Sequence, residues 1–299
     1  MKILERDGNL VVCGVTDLDL AQTLDCGQCF RWEELPDGSF FGVALNRPCH
    51  LAMEGEELTF YNCTREEYDA YWEPYFDLGT DYTAVKEALC LDPVLKKAID
   101  FAPGIRVLRQ DSWEALCTFI LSQNNNIKRI KGIVARLCET FGEPLAGGCY
   151  AFPTPQRLAA LEPEDLAPLR CGFRARYVID AARRVYDGRV DLESLKTLPL
   201  QEAEESLMQI LGVGIKVADC ALLYGCGRTD CVPVDVWIRR AMEELFPGGL
   251  PDCARPYAGL AQQYLFHYVR LCPDALPQHL AQDSTGKKAH KPHRKEKEL

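Results

Sequence analysis

Apolar and polar residues alternate along the first sixty or so positions, and the spacing then changes to a helical one. Strand-like runs occupy residues 29–32, 39–45, 50–53 and 58–61. Pro36-Asp37-Gly38 separates the first two, where Pro fixes φ and Gly supplies a positive φ, and the polar stretch 54–57 separates the last two. The pattern predicts an antiparallel sheet of about four or five strands over residues 1–63. From Arg65 the apolar positions recur at helical spacing. A helix starting at Ser112 is apolar around most of its circumference (Trp113, Leu116, Cys117, Phe119, Ile120, Leu121), which predicts burial at the centre of a domain, and it stops at Asn124-Asn125-Asn126. The next helix sets Ile127, Ile130, Val134 and Leu137 on one side, and further helices are expected over 202–210, 215–224 and 256–271. The expected architecture is α+β. A β-containing domain at 1–100 packs on an all-helical domain at 101–282, followed by a basic, disordered tail at 283–299 without apolar periodicity.

Composition adds limits. The 299 residues, 47% apolar and 26% charged, are those of an ordinary folded protein long enough for about two domains. No stretch approaches the roughly 18 apolar residues of a membrane span, so no membrane partner is expected. The amino-terminal residues do not read as a signal peptide, and the fifteen cysteines fit reduced thiols in the cytoplasm, near DNA or in a nucleus. Cys26-Gly27-Gln28-Cys29 is an isolated C-x-x-C. The later cysteines lack the spacing of a zinc or iron–sulfur site, so neither a metal nor another cofactor is expected.

The chemistry concentrates at 202–240. One expected helix ends at Ile210, Leu211-Gly212-Val213-Gly214 turns the chain, and a second helix starts at Ile215. Two glycines in four residues allow a tight turn and leave backbone N–H groups uncovered at a helix N-terminus, the ingredients of a phosphate-binding hairpin. Lys216 stands in the first helical turn, where the dipole disfavours a cation and favours a neutral, nucleophilic amine. Beyond it, Pro233 stiffens the loop 231–237, and Asp235 can cap the following helix as an ionised carboxylate. A lysine nucleophile with a carboxylate suits attack at an electron-poor carbon such as a sugar C1′. Each element alone has a plainer reading, a surface lysine after a turn or a simple cap; their order favours the catalytic one.

These residues resemble the helix-hairpin-helix DNA glycosylase superfamily, and more closely the 8-oxoguanine DNA glycosylase/AP lyase family. The likeness rests on Gly27-Gln28-Cys29-Phe30-Arg31-Trp32, on Ser122-Gln123-Asn124-Asn125-Asn126-Ile127-Lys128-Arg129-Ile130 and on Gly172-Phe173-Arg174-Ala175-Arg176-Tyr177. It continues through Gly212-Val213-Gly214-Ile215-Lys216-Val217-Ala218-Asp219-Cys220, Val232-Pro233-Val234-Asp235-Val236 and Tyr257-Ala258-Gly259-Leu260-Ala261-Gln262. The resemblance implies a hairpin at 202–225 and a monomer acting on double-stranded DNA that contains 8-oxoguanine. It implies that Lys216 attacks C1′ and forms a Schiff base leading to β-elimination, with Asp235 assisting. By the same likeness, Cys220 and Phe266 sandwich the extruded base, Gln262 bonds its edge, and the carbonyl of Gly27 reads the hydrogen on N7 that guanine lacks. Helical spacing agrees, since Lys216 with Cys220 and Gln262 with Phe266 are both i,i+4 pairs. Without the resemblance, Cys220 and Phe266 read as core packing. Asn124, Arg129, Phe173, Arg174 and the hairpin residues Gly212, Gly214 and Val217 are implied as DNA contacts. Phe173 stands where a tyrosine is usual and Trp237 where a histidine is often found, so opposite-base preference is expected to be weaker.

A net charge of −10 argues against a polyanionic partner. Residues 287–299 hold six Lys and Arg against Glu296 and Glu298, a net +4, which leaves −14 on the remainder. A DNA-binding reading therefore predicts a segregated surface, with Arg106, Arg109, Lys128, Arg129, Lys131 and Arg136 in one basic group and Arg170, Arg174, Arg176, Arg183 and Arg184 in another. The competing readings are a glycosylase for alkylpurines or oxidised pyrimidines, and a non-catalytic hairpin that only holds DNA.

Overall fold

Six strands form one antiparallel sheet in the computed structural model: β1 Lys2–Arg6, β2 Asn9–Cys13, β3 Trp32–Glu34, β4 Phe40–Ala44, β5 Arg47–Glu54 and β6 Glu57–Tyr61, ordered β1-β2-β6-β5-β4-β3. Leu10, Phe60, Leu51 and Phe40 sit opposite one another across four strands. That row packs on Tyr68, Trp72, Tyr75 and Phe76, and the Trp32 indole N–H donates to the Tyr75 hydroxyl at 2.9 Å. The sheet exceeds the expected four or five strands by the β1–β2 hairpin. Its signal was local: Asp7 and Gly8, both at positive φ, make the two-residue turn that an Asp-Gly pair favours. The run at 29–32 is not a strand until Trp32, because Cys29, Phe30 and Arg31 belong to the loop that carries Gly27.

The remainder is helical. Helices of eight or more residues are α1 Tyr82–Leu89, α2 Pro93–Phe101, α3 Ser112–Ser122, α4 Ile127–Phe141, α5 Arg174–Tyr186, α6 Leu200–Met208, α7 Ile215–Cys226, α8 Val236–Leu245 and α9 Ala258–Leu271. Asp111 starts α3 by accepting the Glu114 N–H at 2.8 Å, and every residue from Trp113 to Leu121 is buried, as the all-round apolar pattern predicts. α7 crosses α3 closely, since a Cβ on Gly225 would come within 2.9 Å of the Ala115 side chain. The sheet core runs from Leu10 to Leu78 with Leu108, and the helical core begins at Tyr82 and takes in Phe30. The boundary between cores thus falls near residue 80. The structure describes residues 1–272 and 274–276; the tail expected at 283–299 lies outside them.

A polar seam joins the two cores. Gln28 is completely buried; its amide nitrogen donates to the carbonyls of Thr23 (2.8 Å) and Arg106 (2.7 Å), and its oxygen accepts from Leu108 N–H (2.9 Å). Arg106, expected on a basic DNA-facing group, is instead buried. Its guanidinium serves the carbonyls of Thr16, Asp17, Asp77 and Thr80 and stacks over Tyr82. All fifteen cysteines are free and at least partly buried. Cys26 and Cys29 donate to the carbonyls of Thr23 and Leu24, and burial pushes the Cys26 thiol up to about 11.

Beside this seam Arg31 pairs with Glu114 at 3.1 Å, their side chains 9% and 11% exposed, and Arg31 also donates to the Tyr150 carbonyl. Burial pushes Glu114 up to about 7, while Arg31 pulls it back. Because that value exceeds the ordinary 4.5, the folded protein holds this proton more tightly than the unfolded chain, and the contribution to stability fades as pH rises through that window. Arg31→Met leaves a buried carboxylate without its counter-ion. It is expected to cost about 3 kcal/mol of unfolding free energy near pH 8 and clearly less near pH 5, where Glu114 is protonated, as read by urea unfolding. Equal losses at both pH values would contradict this account.

Candidate active site

The turn between α6 and α7 is shaped by its neighbours. Gly212 has φ +76°, and a Cβ there would overlap the Tyr177 ring, so both conformation and space require glycine. Asp180 on α5 accepts the Leu211 N–H at 2.7 Å and the Arg184 guanidinium at 2.9 Å, which ties the turn to α5. Among the described residues, the N–H groups of Gly212, Gly214, Ile215 and Lys216 have no hydrogen-bond partner, and Gly212, Gly214 and Ile215 are exposed. These groups form the seat at which the sequence predicts an anion. Val217 does not join it directly: its side chain is buried and its N–H donates to the Gly214 carbonyl at 3.0 Å. Behind the seat, Asp219 is buried with Oδ1 unpartnered. Burial first, then the charge and hydrogen bond of Glu204 on α6, push it up to about 7, so a carboxyl pair links the two hairpin helices.

One cleft collects Gly27, Lys216, Cys220, Asp235, Gln262 and Phe266. These are all the residues that the sequence assigned to catalysis and base recognition, brought from the sheet domain, α7, the N-terminus of α8 and α9. Phe119, Tyr224 and Pro233 complete the lining. Asp235 caps α8 by accepting the Ile238 N–H at 2.8 Å. That contact fixes the carboxylate at the helix N-terminus. Lys216 Nζ stands 5.5 Å from the centroid of Phe119, which itself stacks on Tyr224. Burial pushes the Cys220 thiol up, partly offset by Lys216, so Cys220 is a neutral thiol one turn from the lysine. Gln262 is 4% exposed and its Oε1 has no partner among the described residues. A buried carboxamide oxygen of this kind carries an unmet hydrogen bond.

Gly27 has φ +91°, and a Cβ on it would come within 3.3 Å of Ile127. Its position depends on Gln28, which sequence reasoning passed over as a motif letter, and on the Gln110 side chain, whose amide donates to the Gln28 carbonyl at 2.6 Å.

The residues expected on the DNA side divide. Asn124 is exposed at φ +48°, Phe173 is 48% exposed, and Arg129 is exposed. Lys128, Arg170 and Arg176 are also exposed beside them, giving the local basic surface that the net charge conceals. Arg174 departs from expectation. It is 3% exposed, and its guanidinium is engaged by the carbonyls of Gln123, Asn124 and Cys171, with its carbon 4.5 Å from the Phe173 ring centroid. It shapes the Asn124 loop and supports Phe173 rather than offering its charge to solvent. Lys131, Arg109 and Arg136 are likewise committed, to Asp25, Asp77 and the Leu169 carbonyl. Trp237 is partly buried beside Arg240, 5.9 Å from its ring.

Comparisons with known proteins agree with this geometry. The profile of the 8-oxoguanine DNA glycosylase N-terminal domain matches residues 10–116, and that of HhH-GPD superfamily base excision DNA repair proteins matches residues 117–249. The N-glycosylase/DNA lyase of Saccharomyces cerevisiae is 33% identical over 257 residues, 75% of this chain and 67% of that one. The solved structure of Clostridium acetobutylicum 8-oxoguanine glycosylase/lyase, in complex with double-stranded DNA containing cytosine opposite 8-oxoguanine, is 38% identical. Its TM-score is 0.84, and the match covers 90% of this chain and 98% of that one. A structure of MBOgg1 with a low-affinity DNA ligand is 44% identical with the same TM-score and the same coverage. With family matches that run from residue 10 to 249 through both domains, the chain belongs to the 8-oxoguanine DNA glycosylase family of the helix-hairpin-helix superfamily.

Proposed function

We propose that this chain excises 8-oxoguanine from duplex DNA and then cleaves the strand as a lyase. The observation that carries the reading is the single cleft in which Lys216 and Asp235 meet Gly27, Cys220, Gln262 and Phe266. The damaged nucleotide leaves the stack, and its base enters between Cys220 and Phe266. Gln262 Oε1, buried and without a partner among the described residues, supports an acceptor role toward the donors of a purine's Watson–Crick edge. The Gly27 carbonyl accepts the N7 hydrogen of the lesion and would face a lone pair on guanine. A mismatch of that kind costs about 1–3 kcal/mol.

The Lys216 amine attacks C1′, the bond from C1′ to N9 breaks, and the electron pair leaves with the base, which takes up a proton. The Asp235 carboxylate stabilises the positive charge that develops on the sugar. Ring opening gives the Schiff base. Loss of a C2′ proton then expels the 3′ phosphate by β-elimination. The hairpin N–H groups hold a backbone phosphate, Phe173 wedges the stack, and Asn124 fills the vacated space with Arg129 beside the opposite base. The enzyme acts as a monomer in this reading.

Excision from duplexes that each carry one lesion tests the assignment; release of alkylpurines or oxidised pyrimidines in place of 8-oxoguanine would replace it. Borohydride should trap wild-type protein on 8-oxoguanine DNA, and Lys216→Gln should lose the adduct completely. A wild type that gives no adduct defeats the lyase assignment. Asp235→Asn is expected to slow excision about a hundredfold. With Phe173 in place of tyrosine, excision opposite the four bases should vary less than in tyrosine-bearing relatives, and Phe173→Tyr should steepen the preference for cytosine. An equally steep preference in the wild type would refute this.

A further inference from the structure

Arg270 lies one helical turn beyond Phe266 on α9, and its guanidinium carbon stands 5.1 Å from the Phe266 ring centroid. A Cβ built on Gly27 would come within 3.4 Å of Arg270 Nη1, so the same group also backs the Gly27 main chain. Phe266 lines the cleft that holds Lys216, whereas Arg270 lines a neighbouring cavity with Asp25, Lys131 and His267. The ring therefore stands between the base cleft and the guanidinium. Among the described residues, no hydrogen bond or ion pair engages Arg270. The nearby carboxylate, Asp25, is bound by Lys131 at 2.9 Å. The charge is nonetheless felt locally, since it adds to burial in holding His267 below its ordinary value. A partly buried cation without an acceptor is unfavourable unless something else attracts it, and the face of an aromatic ring does so.

Resting on the reading of Phe266 and Gly27 as walls of the base pocket, we propose that Arg270 is a positioning residue for base recognition, acting through Phe266. Stacked on the outer face of the ring, the cation draws π density away from the inner face and limits movement of the ring. A ring face made less negative stacks better on an electron-rich purine, and 8-oxoguanine, with its added oxygen donor, is more electron-rich than guanine.

Single-turnover excision by Arg270→Met, Phe266→Leu and the double variant tests this, with strand cleavage at a preformed abasic site as the control that needs no base pocket. Arg270→Met keeps the apolar stem and should slow excision about tenfold while leaving abasic-site cleavage within about twofold of wild type. The double variant should be no slower than Phe266→Leu alone, since the cation has then lost its ring. Arg270→Lys, which keeps the charge, should recover most of the rate. Additive losses, equal losses in excision and abasic-site cleavage, an unchanged rate in Arg270→Met, or a lysine variant as slow as the methionine one would each overturn the proposal. A wild type that fails to excise 8-oxoguanine at all would instead remove the functional reading beneath it.

Discussion

The buried carboxamide of Gln28 is the contact on which the cleft depends. The cleft has walls from both domains, Gly27 from the sheet side and the rest from the helices, and the contact proposed between the Gly27 carbonyl and one base atom tolerates little drift between them. Gln28 uses both amide functions across the seam, on the carbonyls of Thr23 and Arg106 and on the Leu108 N–H. Thr23 adds a bond to the Gly104 carbonyl and accepts the Arg106 N–H. A buried network with every partner met is stiff, because each group would lose more by moving than it could regain from solvent. An apolar seam of the same area would hold the domains together without fixing their register so closely.

The acidic total is reconciled with a DNA partner by where charge is spent. Several arginines close to the expected DNA face act inside the protein: Arg106 and Arg174 on main-chain carbonyls, Arg31 on Glu114. Lys128, Arg129, Arg170 and Arg176 stay exposed on the segments that carry Asn124 and Phe173. The hairpin contributes oriented N–H groups, which in the proposed function hold a phosphate while adding nothing to net charge. Net charge therefore says little about this face.

The legible parts of the sequence were those governed by short-range spacing. Helical pairs placed Cys220 beside Lys216 and Phe266 beside Gln262, the Pro-Asp-Gly turn marked a hairpin, and Asp235 caps α8 as its position suggested. Gly27 was legible only through the family likeness, because its neighbours in space, Ile127 and Arg270, are distant in the chain. The arginines were misjudged for a related reason. A sequence shows the sign of a side chain but not the carbonyls it will meet: Arg174 reaches those of Gln123 and Asn124, 51 and 50 residues away, and Arg106 those of Asp17 and Thr16, 89 and 90 residues away.

The burial of the cysteines has a consequence of its own. On the proposed reading the substrate arises from reactive oxygen, so the protein works where such oxidants are present and carries fifteen thiols into that setting. Peroxides attack thiolates far faster than thiols, and attack requires access. Cys26, Cys117 and Cys220 are each held in the protonated form by burial, Cys220 despite the neighbouring lysine. The packing that builds the pocket thus also shields it, and the thiol next to the nucleophile can stay chemically silent under the conditions that create the lesion.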